Sequence, residues 1–207
     1  AIAEADSIVI DPHKHGLQPY GCGCVLFRDP AVGTLYKHDS PYTYFTSKDL
    51  HLGEISLECS RAGAAAVALW ATQRLLPLQP GGEFARGLAC GRRAALELDR
   101  RLRQDARFEP LAAGPPELDI VVGKAKAETP ERASELAREI FDACAARQLH
   151  LALVQLPQSW FGSSAGTQEN AGAVTCLRSV LMKPGHEAWL GRIWERLSAA
   201  TAQVLGN

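Results

Sequence analysis

The sequence predicts an α/β chain: the end of a large, mostly parallel sheet domain followed by a small α+β domain. Three observations carry this. Ser7-Ile8-Val9-Ile10 is an uninterrupted β-branched run between Asp6 and Asp11-Pro12, the pattern of a strand covered on both faces, as in a parallel sheet. Short apolar runs near residues 118, 149 and 174 alternate with a helix and a loop, which makes one α+β unit from about residue 106 to the end. The residues before 55 hold two strands and a loop, too little to bury a core alone, so they read as the last piece of something larger. The expected division is 1–55, the end of the large domain; 56–105, connecting helices; and 106–207, the small domain.

The elements follow in order. Cys22 to Phe27 is a second strand, stopped by Arg28-Asp29-Pro30. Residues 36–54 are polar and aromatic without a period and read as a long loop. Ser56 to Leu76 is an alanine-rich helix with little charge, expected to be buried nearly all round and ended by Pro77 and Pro80. Residues 82–104 place Phe84, Leu88, Gly91, Ala95, Leu98 and Leu102 at helical spacing. Leu118 to Val122 is a strand, and Thr129-Pro130 opens a helix as N-cap and first-turn proline. Leu149 to Leu156 is a strand with His150 inside it as a core histidine; residues 162–172 form a polar loop; Val174 to Met182 is a strand; and Glu187 to Leu205 is a closing amphipathic helix.

Composition excludes several classes. With 207 residues, 46% hydrophobic, and 22 basic against 23 acidic side chains, the chain is neither disordered nor electrostatically suited to nucleic acid. No apolar run reaches the length of a bilayer crossing. Six cysteines at irregular spacing do not form a secreted disulfide framework, so a reducing cytoplasm is expected.

The chemistry concentrates at Asp11-Pro12-His13-Lys14. A lysine just past a buried strand can be held partly desolvated, which lowers its pKa and makes its amine a nucleophile. The plainer reading is a solvated loop lysine.

This segment closely resembles the lysine motif of the group II pyridoxal-phosphate-dependent amino-acid decarboxylases, relatives of aromatic-amino-acid and glutamate decarboxylase with fold type I. The resemblance rests on Ala5-Asp6-Ser7, Asp11-Pro12-His13-Lys14 and Val25-Leu26-Phe27-Arg28-Asp29, in that order. Weaker matches follow at Ser56 to Arg61, Arg103 to Glu109, and Leu177 to Val180 with Pro184. The resemblance implies that Lys14 forms the Schiff base with pyridoxal 5'-phosphate and that His13 lies near its phosphate. It implies decarboxylation of an L-amino acid to the amine, with the coenzyme as electron sink. A loop tyrosine then returns the proton to Cα; Tyr42 and Tyr44 both qualify. It also implies a homodimer. His15 stands where many relatives carry tryptophan. The family's pyridine-pairing aspartate and most phosphate donors precede the lysine strand, so the chain is expected to be the C-terminal half of the enzyme and incomplete alone.

Three alternatives stand beside this. His13-x-His15 and Cys22-x-Cys24 offer nitrogen and sulfur donors for zinc, but without the usual ligand gap; no metal is expected. The unit from 106 onward could be a non-catalytic structural or dimerisation module. The same cofactor and fold could instead serve another lyase reaction or oxidative deamination.

Overall fold

The computed structural model describes residues 2–37, 55, 62–111, 114–161 and 172–206. The chain divides into two units, Ala1–Phe84 and Ala85–Asn207.

In the first unit, β1 (Ser7–Ile10) pairs antiparallel with β2 (Cys24–Phe27), Ser7 opposite Phe27 and Ile10 opposite Cys24. The expected cover on both faces of β1 is not seen: Val9, Ile10, Val25, Leu26 and Phe27 are all exposed. A two-stranded ribbon has no second layer to hide its side chains. Arg28 fastens the end of β2 beneath the start of β1. Its Nε and Nη2 donate to the Ala5 carbonyl at 3.1 and 2.8 Å, and its backbone N–H donates to the Asp6 carbonyl at 2.9 Å. Asp29 then caps a 3₁₀ segment, Pro30–Tyr36, by accepting from the Ala31 N–H at 2.9 Å.

Helix α1 (Ala62–Leu75) ends just before Pro77, as the prolines require. It is not buried all round: Val67 and Trp70 are 63% and 59% exposed. Low charge alone does not supply a partner for each face, and Arg74 instead stacks over the Trp70 ring at 5.0 Å.

The second unit is a four-stranded antiparallel sheet packed by helices. Helix α2 (Glu83–Gln104) buries Ala94, Ala95, Leu98 and Leu102 on one face and leads into β3 (Phe108–Pro110) and β4 (Ile120–Ala125). Gly91 lets α2 approach the chain leaving the sheet, since a Cβ there would stand 2.6 Å from the Leu181 carbonyl oxygen. Helix α3 (Pro130–Ala146) begins as expected, Thr129 accepting from the Arg132 N–H at 3.2 Å. β5 (Ala152–Pro157), β6 (Ala173–Val180) and α4 (His186–Leu205) complete it. The order is β3-β4-β6-β5. His150 precedes β5 and is exposed, so it is not the core histidine expected from a strand starting at 149.

Two apolar clusters result. The larger joins Leu98, Leu102, Phe108, Val121, Leu136, Ile140, Cys144, Leu177, Leu190 and Leu197. The smaller joins Ala133, Phe161, Val174 and Cys176, with Val122, Val154 and Leu156 against it. Cys176 and Leu177 are neighbours on β6 yet belong to different clusters, as alternation along a strand dictates. At the β3–β4 pair a cation is buried. Lys124 lies opposite Glu109, its Nζ 3.1 Å from Oε2 and 4.9 Å from the Phe161 ring centre. No periodicity in the sequence announces this pair.

Candidate active-site lysine

Lys14 sits on a compact turn that begins where β1 ends. The Lys14 N–H donates to the Asp11 carbonyl at 3.1 Å, the Leu17 N–H to the Lys14 carbonyl at 3.3 Å, and the Gln18 N–H to the Pro12 carbonyl at 3.0 Å. The turn is tight enough that a Cβ on Gly16 would lie 2.6 Å from the Pro12 oxygen. Leu17 closes it in the left-handed region, φ 60°, an uncommon backbone state for a non-glycine residue.

One side chain ties this turn to α1. Gln18 Nε2 donates to the Gly16 carbonyl at 3.1 Å and to Thr72 Oγ1 at 2.7 Å, while the Thr72 hydroxyl donates to the Ala68 carbonyl at 3.0 Å. Gln18 and Pro12 are buried, and Cys22 is buried with Sγ 3.6 Å from the Ala65 carbonyl oxygen. The backbone around Lys14 is therefore fixed by bonds to a helix more than fifty residues away, which no local motif could reveal.

The amine itself is reachable. The Lys14 side chain is 62% exposed and Nζ donates to Asp11 Oδ2 at 2.7 Å. That hydrogen bond and the lysine charge hold the Asp11 carboxyl below its ordinary range, against a small opposing effect of burial and with a small further lowering from His13. His13 is half-buried and stacks on Tyr20, ring centres 4.9 Å apart at 30°. The structure thus brings Lys14 to Asp11 and His13 to Tyr20. Tyr42, Tyr44 and Arg61 lie outside the described residues.

A primary amine that is exposed, while the backbone beneath it is pinned, suits covalent attachment of a carbonyl cofactor. Among the described residues no group of three or more His, Cys, Asp or Glu side chains could hold a metal ion, and the Cys22 thiol is turned toward Ala65. Nor, among the described residues, is any helix long and apolar enough to cross a membrane.

Comparison with known proteins places this turn in context. No family model matches the chain. It is 38% identical over 107 residues to an L-tyrosine decarboxylase of Enterococcus faecium, covering 50% of this chain and 16% of that protein. It is 31% identical over 135 residues to a probable L-tyrosine/L-aspartate decarboxylase of Methanothermobacter thermautotrophicus, covering 65% of this chain and 34% of that one. Among solved structures, tryptophan decarboxylase of Catharanthus roseus, in complex with L-tryptophan, superposes with a TM-score of 0.73 at 17% identity, over 98% of this chain and 40% of that one. Glutamate decarboxylase of Lactobacillus brevis gives 0.71 at 15% identity, over 98% and 41%. The chain therefore spans less than half the length of each of these proteins. Over part of its length the chain is thus a homologue of tyrosine and tyrosine/aspartate decarboxylases, and its fold is that of the C-terminal part of the solved amino-acid decarboxylases.

Proposed function

We propose that this chain is part of a pyridoxal-phosphate-dependent carboxy-lyase that converts an L-amino acid to its amine, with Lys14 holding the cofactor. One observation carries the reading: an exposed lysine amine on a turn fixed by hydrogen bonds, in a chain homologous to tyrosine and aspartate decarboxylases. When bound, the coenzyme supplies an electron sink for the pair released as the carboxylate departs.

The residues divide the remaining work. Lys14 anchors the cofactor through Nζ and releases it to the incoming amino group. Asp11, 2.7 Å away, orients the amine while it is protonated. His13, held by its stack on Tyr20, sets one wall beside the cofactor phosphate. Tyr42 or Tyr44 returns the proton to Cα. Residues 1–55 complete the large cofactor-binding domain, 56–105 connect, and 106–207 form the small domain. The whole enzyme works as a cytoplasmic homodimer whose substrate is an L-amino acid, a small molecule.

The test uses the full-length parent enzyme. Borohydride reduction followed by peptide mapping is expected to find the coenzyme mass on Lys14. Lys14→Ala abolishes both the visible absorbance band of the bound cofactor and amine formation from L-tyrosine or L-aspartate. Coenzyme attached to another lysine would overturn the reading. Tyr42→Phe and Tyr44→Phe, made singly, distinguish the proton donor: the donor's loss lowers turnover about 10²–10⁴-fold, and the other variant leaves it near the parent value. Sedimentation of the same enzyme reads the dimer directly.

A further inference from the structure

The second unit contains a small cavity, about 180 Å³, lined by Arg138, Leu153, Val154, Gln155 and Thr175. Nothing in the chemistry proposed for Lys14 uses it. Its polar wall sets buried Thr175 beside the exposed side chains of Arg138 and Gln155. The Thr175 side chain is 5% exposed, and its backbone N–H donates to Ser134 Oγ at 2.9 Å, which donates in turn to the Pro130 carbonyl at 2.8 Å. Gln155 lies directly opposite Thr175 across the β5–β6 pair.

The donors here outnumber the acceptors. Arg138 donates through Nη2 to Thr175 Oγ1 at 3.1 Å; the other guanidinium N–H groups meet no carboxylate among the described residues. The α3 acids nearest in sequence are engaged elsewhere: Glu135 and Glu139 each lie 3.0 Å from Arg132 Nη1. Thr175 Oγ1 already accepts from Arg138, so its own proton is left to donate. Among the described residues no acidic side chain lines the cavity, while Leu153, on the same sheet face as Gln155, supplies an apolar floor.

A planar guanidinium beside a hydroxyl donor matches a carboxylate, whose two oxygens accept a bidentate pair. The cavity is smaller than the ~300–1,000 Å³ typical of drug-sized sites, which restricts the ligand to a few heavy atoms. We propose that Arg138, Thr175 and Gln155 form a site for a small monocarboxylate, its oxygens on Arg138 and Thr175 and its short apolar tail on Leu153. This site stands whether or not Lys14 holds a cofactor.

The experiment titrates the full chain with sodium propionate and follows the Arg138 Nε–H, Thr175 N–H and Gln155 side-chain signals by ¹H–¹⁵N NMR. Sodium chloride at matched ionic strength is the control, with sodium phosphate as the competing anion. The expected result is a saturable shift of these signals with propionate alone. Arg138→Gln weakens it at least about tenfold, the loss of one charge-assisted contact. Arg138→Lys, which keeps the charge but not the fork, falls between, and Arg132→Gln leaves binding unchanged. Should Thr175→Val disturb the fold, the arginine variants at a solvent-facing helix position still decide the matter. A shift that does not saturate, that chloride reproduces, or that survives Arg138→Gln would overturn the site. Phosphate binding as tight as propionate would overturn its assignment to carboxylates.

Discussion

Gly16 sets the geometry of the lysine turn, because its missing Cβ is what allows the Pro12 carbonyl to approach. Gly16→Ala must push backbone against backbone, so a loss of about 1–3 kcal/mol is expected, measured by urea unfolding. A second residue-scale prediction concerns Lys124. Its side chain and that of Glu109 are 8% and 16% exposed, so removing one partner strands a buried charge. Lys124→Ala should cost about 3–5 kcal/mol, whereas the paired change Lys124→Met with Glu109→Gln should cost much less. Thermal melts of the single and double variants separate the two cases. Burial also silences two thiols: it pushes Cys144 and Cys176 up to about 11. Iodoacetamide at mildly alkaline pH should therefore label half-buried Cys24 and Cys90 in the folded protein, and reach Cys144 and Cys176 only after denaturant is added.

At the scale of elements, the joint between α2, β3 and α4 is electrostatic. Arg107 donates to both carboxylate oxygens of Asp105, at 2.9 and 2.6 Å, and to Ser198 Oγ at 2.8 Å. The Arg107 hydrogen bond holds the Asp105 carboxyl below its ordinary range, although burial opposes it. A carboxyl depressed in the folded state stabilises above its unfolded pKa, and that stability drains away as pH falls through the folded one. Asp105→Asn should therefore be destabilising by about 1–2 kcal/mol at neutral pH, and the gap to the parent should close in acid, below the ordinary carboxylate range. Denaturant midpoints taken across that pH interval check the sign. The elements themselves were largely legible. Thr129-Pro130 announces α3 because a cap and a first-turn proline act locally, and the α2 stripe through Leu98 and Leu102 is a periodic signal that its burial matches. What could not be read depends on partners distant in sequence. The Gln18–Thr72 tether joins residues with no shared motif, the Lys124–Glu109 pair depends on strand register, and the exposure of Val67 and Trp70 depends on what packs against α1. His150 illustrates the boundary error: β5 starts at Ala152, two residues later, so the histidine precedes the strand and is exposed.

At the scale of the whole molecule the two units differ in how much they bury. The first leaves Val9, Ile10, Leu26, Leu35, Val67, Trp70 and Leu75 in solvent, while the second hides Leu98, Phe108, Ile140 and Leu197 almost completely. A cavity cut in the second, Ile140→Ala, should cost about 2–5 kcal/mol by denaturant titration; a change of similar size at Leu75, 81% exposed, should cost far less. The strand order β3-β4-β6-β5 has one more consequence. β4 and β5 are both made before β6 but do not pair with each other; β6 sits between them and pairs with both, while β4 also pairs with β3. Until Ala173–Val180 is extruded, the β3–β4 pair and β5 lack the strand that joins them in the sheet. Closure of this sheet therefore waits for β6, and until it is made the facing edges of β4 and β5 have no strand to pair with.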